Sequence, residues 1–282
     1  MIPLAKHGVR LRVLDYGGGG PPVLCVHGVG MSAAAWAPLA AHARDLRLLA
    51  VDLPGHGLSD AFDYSGVDLR AHARDLLEGV VEELAVADAP VAGNSIGAMM
   101  PLWRAADPEG WSPTSVIALG EPAVAFADAR ARFPLWVLAT PGLGRAVLRA
   151  PAPGAAHRAV LGRAIGRNAM RVAPPALGEA LHAAARRPGH AATAASLVRR
   201  VHRLRWARPG NALSEAELAR IRARCLFVWG DRDRFLASDR GAHWVARIAG
   251  AQLEVVSGGH APWLDQPERC GELLTSWVAA AS

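Results

Sequence analysis

The chain has 282 residues, 51% of them AVILMFWYC and 20% charged, which supplies a sizeable core and excludes global disorder. Three cysteines (Cys25, Cys225, Cys270) are too few and too scattered for a disulfide framework or a thiolate metal cluster, and no apolar run is long enough for a membrane span. The formal charge of +6 is uneven: residues 121–212 hold 15 arginines and no lysine against Glu121, Asp128 and Glu179, so that segment carries +12 and the remainder −6.

The first residues lack the apolar region of a secretory signal and carry Lys6, Arg10 and Arg12, so a cytoplasmic location is expected. Val9 to Leu14 alternates apolar and polar residues as an edge strand does. Gly17 to Gly20 and Pro21-Pro22 form a loop. Val23 to Val26 reads as a central strand ending in His27-Gly28-Val29-Gly30-Met31, a loop built for close approach. Ser32 is placed to cap a helix carrying Trp36, Leu39 and Ala40. Leu46 to Val51 is the next strand, followed by a tight turn from Asp52 to Ser59. Val67 to Leu84 repeats apolar residues at helical spacing along one face.

Val91-Ala92 then leads into Gly93-Asn94-Ser95-Ile96-Gly97, a G-x-S-x-G pattern. The expected geometry is a strand turning sharply into a helix, with Ser95 at the apex and glycines where neighbouring backbone passes close. Ser115 to Leu119 is a further strand. The alternation of strands and helices predicts an α/β fold with a mostly parallel central sheet flanked by helices.

The pattern breaks from Glu121 to about Asn211. This segment shows no convincing strand and is punctuated by Pro134, Pro141-Gly142, Pro151 to Gly154, Pro174-Pro175, Pro188-Gly189 and Pro209-Gly210. It is read as an inserted all-helical cap over residues 121–212, splitting the core into 1–120 and 213–282. Leu135, Leu138, Val147, Ile165, Leu181 and Leu197 are among the apolar residues that would face a partner surface. Ser214 to Arg222 is a helix with Glu217 placed for a capping box. Cys225 to Trp229 is a buried strand running into Gly230-Asp231-Arg232-Asp233. Asp239 to Ile248 is a helix, Gln252 to Val256 the last strand, and Gln266 to Ala280 a closing amphipathic helix.

Ser95, Asp231 or Asp233, and His260 each follow a predicted strand, and in an open α/β sheet those strand ends share one crevice. The order nucleophile, acid, histidine is one known solution for acyl transfer. A serine hydroxyl needs a base to take its proton, histidine is neutral near pH 7 and can return that proton, and a carboxylate fixes the histidine tautomer. Asp233 is favoured as the acid, because it lies further into the loop, while Asp231 suits an Asx-type turn. The expected oxyanion donors are the backbone N–H groups of Val29 and Ile96. His27 and His56 read as structural. No His-x-x-x-His or His-x-Glu set has metal spacing, and Gly17 to Gly20 is no phosphate loop, so neither metal nor organic cofactor is called for. The arginine excess comes without a nucleic-acid-binding module. A small-molecule substrate, anionic or carrier-linked, is the expected partner, with no nucleic acid and no membrane.

Across nearly its full length the chain resembles the α/β-hydrolase fold enzymes with a helical lid. The resemblance rests on His27-Gly28-Val29-Gly30, Asp52-Leu53-Pro54-Gly55-His56-Gly57-Leu58-Ser59, Gly93-Asn94-Ser95-Ile96-Gly97, Gly230-Asp231-Arg232-Asp233 and Gly259-His260-Ala261-Pro262. It implies Ser95 as nucleophile, Asp233 as acid, His260 as base, and Val29 and Ile96 as oxyanion donors. Ser95 departs from the elbow aspartate of the haloalkane dehalogenases and epoxide hydrolases, and the cap segment has no tyrosine. Asn94 is similar to the meta-cleavage product hydrolases, which cut carbon–carbon bonds. Ala261 and Ala98 depart from them, since they carry tryptophan and glycine there. The resemblance implies hydrolysis of a carboxylic ester or lactone, with carbon–carbon cleavage, thioester hydrolysis, a non-hydrolytic isomerase or cyclase, or a ligand receptor as alternatives.

Overall fold

The computed structural model describes residues 1–133, 135–150 and 153–280; Pro134 and Pro151, read above as breaks in the cap, lie outside the described residues. Seven strands form the main sheet in the spatial order Gln252–Val256, Arg224–Gly230, Ser115–Leu119, Val91–Gly93, Pro22–Val26, Arg47–Val51 and Val13–Asp15. All pairings are parallel except the last, where Val13 to Asp15 runs antiparallel to Leu49 to Val51. The central strands are apolar on both faces because helices cover both. Leu24 and Val26 pack into one core, and Val23 and Cys25, one residue out of phase, into the other.

The chain runs outward from Pro22–Val26 to Arg47–Val51 and then crosses back to Val91–Gly93 on the other side. The strand order therefore reverses between Pro22–Val26 and Val91–Gly93. A crevice opens at the carboxyl end of such a reversal.

Three local expectations are corrected. The single edge strand from Val9 to Leu14 is broken at Arg12. Val9–Leu11 pairs with Ile2–Leu4 in a separate antiparallel sheet, and only Val13–Asp15 joins the main one. The cause is non-local: Arg12 N–H donates to Ser59 Oγ at 2.9 Å, Arg12 C=O accepts from Asp52 N–H at 2.9 Å, and its guanidinium donates to Asp52 Oδ2 at 2.6 Å. Ser32 makes no capping hydrogen bond; the buried Asp52 carboxylate takes the Ala33 N–H instead, at 2.6 Å. The first turn there is a 3-10 helix, Ala33–Trp36, before Ala37–Ala40. The cap segment is mostly helical but not wholly so. His202–Arg203 and Trp206–Ala207 form a short antiparallel hairpin that turns at Leu204, where φ is +56°. It is fastened by Ala131 N–H donating to Arg205 C=O at 3.0 Å and by the Arg130 guanidinium 4.2 Å from the Trp206 ring centroid.

Other elements follow the sequence closely. Leu69–Glu83 is capped by Asp68, which accepts from the N–H groups of Arg70 and Ala71. Ser214 and Glu217 make the reciprocal capping box of Glu215–Arg220. Residues 121–212 are joined to the rest of the chain by hydrogen bonds of backbone as well as side chains. Ala261 N–H donates to Ile165 C=O at 3.1 Å, and Tyr64 N–H donates to Ser196 Oγ at 3.1 Å.

Candidate active site

Ser95 sits between the strand Val91–Gly93 and the helix Ile96–Ala106 with φ +54° and ψ −122°. A non-glycine residue in that region is strained, by about 1–3 kcal/mol, and persists only when its surroundings fix it. The flanking glycines do so. A Cβ on Gly93 would lie 2.1 Å from Gly97 O, and one on Gly97 2.1 Å from Val26 O. No side chain larger than hydrogen fits at either position. The turn is closed by Gly97 N–H donating to Asn94 C=O at 2.8 Å, and the helix starts with Met99 N–H donating to Ser95 C=O at 2.9 Å. Ile96 is the first helical residue, and its N–H has no intrahelical partner to reach.

The loop after Pro22–Val26 presses directly on this turn. A Cβ on Gly28 would lie 2.8 Å from Asn94 Oδ1 and 3.0 Å from Ser95 Cβ. His27 is fully buried and holds the loop: its Nδ1 and Gly28 O are 2.7 Å apart, and its Nε2 accepts from Leu53 N–H at 3.0 Å. This is a structural role, as read for it above. Val29 is thereby half-buried next to the Ser95 turn.

Asp233 and His260 are brought together. His260 Nδ1 donates to Asp233 Oδ2 at 2.9 Å. The same oxygen accepts from Glu121 N–H at 3.1 Å, and Asp233 Oδ1 accepts from Phe235 N–H at 3.0 Å. Three donors on one buried carboxylate fix its orientation. Asp231, two residues earlier, points elsewhere. It is exposed, and its Oδ1 accepts from Gly258 N–H at 2.9 Å, bracing the two loops.

Ser95 Oγ makes no hydrogen bond to His260 among the described residues; the two are tied through Asn94. Its amide donates to Leu119 C=O at 2.6 Å and to His260 C=O at 2.8 Å. One side chain next to the serine thus pins the end of the neighbouring strand and the backbone of the histidine. Asn94→Leu leaves the His260 carbonyl without this donor in a buried site, at a cost of about 1–3 kcal/mol. The expected result is a lower urea midpoint with unchanged denaturant slope; an unchanged midpoint would contradict it.

Two cavities meet at Leu135. One, of about 230 Å³, is mostly apolar and is lined by Val29, Leu135, Leu138, Val147 and Leu161, with three histidines and Arg186 in its wall. The other, of about 20 Å³, lies against Ser95 and is lined by Glu121, Arg130, His202 and Phe235. Phe235 also packs edge-on to His260, with ring centroids 4.4 Å apart. Sequence reasoning counted Glu121 only as a cap charge and missed His202 and Phe235. The available signal for Glu121 was its place two residues past a strand, the same kind of position that singled out Ser95, Asp233 and His260. Burial, and then the neighbouring Asp233 carboxylate, hold the Glu121 carboxyl well above the usual carboxylate range. Burial pushes His202 down to about 4, with the Trp206 carbonyl opposing.

Comparison with known proteins agrees with this frame. The chain is 26% identical over 302 residues to a 2-hydroxy-6-oxononadienedioate/2-hydroxy-6-oxononatrienedioate hydrolase of Klebsiella pneumoniae, covering 97% of this chain and 92% of that one. It is 26% identical over 295 residues to a protein of the same name from Escherichia coli, covering 97% and 92%. Among solved structures, a meta-cleavage product hydrolase from Pseudomonas fluorescens superposes with a TM-score of 0.75 at 20% identity, covering 98% of this chain and 96% of that one. The enol-lactonase from Burkholderia xenovorans gives 0.70 at 19%, covering 96% of each. These likenesses establish the fold. Residues 23–273 match the alpha/beta hydrolase family along almost the whole chain, and the protein is a member of that family.

Proposed function

We propose that the protein is a serine hydrolase that cleaves a carboxylic ester or lactone of a small, largely hydrophobic substrate through an acyl-enzyme on Ser95. The observation that carries this reading is the strained Ser95 turn tied by Asn94 to a His260 whose Nδ1 is held by the buried Asp233. Nδ1–H bonded to Asp233 leaves Nε2 as the free, basic nitrogen. His260 takes the Ser95 proton as Oγ attacks the carbonyl carbon. The N–H groups of Val29 and Ile96 hold the oxyanion, and His260 returns the proton to the leaving alkoxide. Water then attacks the acyl-enzyme with His260 as base. The cap, residues 121–212, acts as a lid, and the apolar cavity beside Val29 receives the hydrophobic part of the substrate. Arg186, in the wall of that cavity, is the cap arginine placed to meet an anionic substituent.

The 26% identity to hydrolases of an oxononadienedioate favours a second reading, carbon–carbon cleavage. Against it, the tryptophan near the histidine does not supply the missing group. Trp263 is fully buried, stacked on Trp36 at 4.6 Å, with Nε1 donating to Ala35 C=O at 2.8 Å. A panel of an activated ester, a lactone, an acyl thioester and a vinylogous diketo acid separates the readings. The ester or lactone is expected to show the highest kcat/KM; a dominant rate with the diketo acid would reverse the assignment. In matched neutral and anionic esters, the anionic one is expected to be preferred at low salt, with the preference weakened by salt and by Arg186→Met. Equal kcat/KM for both across the salt range would leave the lid a purely hydrophobic gate.

A further inference from the structure

Hydrolysis needs a second nucleophile at Ser95, and something must hold it. A water attacking an acyl group gives one hydrogen to the base, and its other hydrogen needs an acceptor that does not compete for the proton. The cavity of about 20 Å³ against Ser95 has the size for a single water. Its wall contains two polar side chains, each more than nine-tenths buried, and each with an atom that has no partner among the described residues: Glu121 Oε1 and His202 Nδ1. The cavity adjoins the base through Phe235, which packs on the His260 ring, and through Glu121, whose N–H shares Asp233 Oδ2 with His260.

We propose that this cavity is the seat of the hydrolytic water, which rests donating to Glu121 Oε1 and His202 Nδ1 and keeps one of these two acceptors when its other hydrogen turns to His260 Nε2. The proposal rests on the acyl-enzyme reading given above. His202, pushed down to about 4 by burial, is too weak a base to draw the proton from His260, and burial with the neighbouring Asp233 disfavours the charged form of Glu121. In the step, the water oxygen forms a bond to the acyl carbon as one of its protons passes to His260 Nε2. The intermediate then breaks its bond to Ser95 Oγ, which takes the proton back from His260. The free acid leaves, and Glu121 exchanges no proton in the step. Glu121 is on this account a catalytic residue of the second half-reaction only.

The test separates the two half-reactions with para-nitrophenyl butyrate, reading acylation from the nitrophenolate burst and deacylation from the steady state. In Glu121→Leu, acylation should stay near wild type while deacylation falls about tenfold, the size of one lost oriented hydrogen bond. With methanol present, the ratio of methyl butyrate to butyrate should rise by about the same factor, because methanol is too large for a one-water cavity and attacks from outside it. Glu121→Gln keeps a carbonyl acceptor and should recover most of the deacylation rate that Glu121→Leu loses. His202→Phe should repeat the Glu121→Leu signature and carries the decision alone if that variant does not fold. Acylation falling as far as deacylation, or an unchanged methanol ratio in these variants, overturns the proposal. A wild-type protein that forms no acyl-enzyme at all overturns the hydrolase reading itself, and the water seat with it.

Discussion

Ser95→Ala and His260→Ala are each expected to lower turnover on the order of 10⁴-fold or more, while circular dichroism stays that of the native protein. The two side chains act as one unit. Without the hydroxyl there is nothing to attack; without the imidazole the hydroxyl is not activated. The double variant should therefore be little worse than either single one. Stability should change little for Ser95→Ala, since Ser95 Oγ makes no hydrogen bond among the described residues, and Ala adds no bulk to a turn that already tolerates a Cβ at φ +54°. A Ser95→Ala protein that keeps full activity would end the assignment. Multiplying losses in the double variant would mean that the two residues serve separate steps.

Asp233→Asn should fall about 10⁴-fold in turnover, the loss a wrong histidine tautomer causes in a known protease, while Asp231→Asn stays near wild type. The geometry gives the reason. Asp233 Oδ2 accepts from both His260 Nδ1 and Glu121 N–H. Asparagine has no charge to stabilise the imidazolium that forms; with its oxygen at the Oδ2 place its NH₂ opposes Phe235 N–H, and turned over it aims NH₂ at His260 Nδ1 and forces the other tautomer. Asp231 accepts from Gly258 N–H and pairs with Arg232 on the surface, so its substitution touches loop stability rather than the imidazole. Comparable losses at equal stability in the two variants would break the distinction, and a larger loss for Asp231→Asn would exchange the two roles.

The parts of this site that sequence made legible are those where local chemistry leaves little choice. Glycines at 93 and 97 are demanded by backbone oxygens within 2.1 Å of where a Cβ would be, so the elbow leaves a written pattern. The central strands are apolar on both faces, so they stand out as short runs between turn residues. What stayed hidden depends on contacts far apart in the chain. Asn94 was read only through a family likeness; its donation to His260 C=O spans 166 positions. Arg12 ends an edge strand because Asp52 and Ser59 claim it. The hairpin at His202 to Ala207 has two-residue strands, too short to show any alternation. Glu121 counts as a charge in sequence, whereas burial and Asp233 disfavour that charge in the fold, so its place in the charge count of the cap concealed its place beside Ser95.

The account stands most directly on one covalent bond. Incubation with a fluorophosphonate, followed by peptide mapping by mass spectrometry, should place a single adduct on Ser95. Labelling should be lost in Ser95→Ala and slowed by orders of magnitude in His260→Ala, with the native fold retained in both. An unlabelled wild-type protein, or an adduct that persists unchanged in Ser95→Ala, would contradict the claim that this serine is the activated nucleophile.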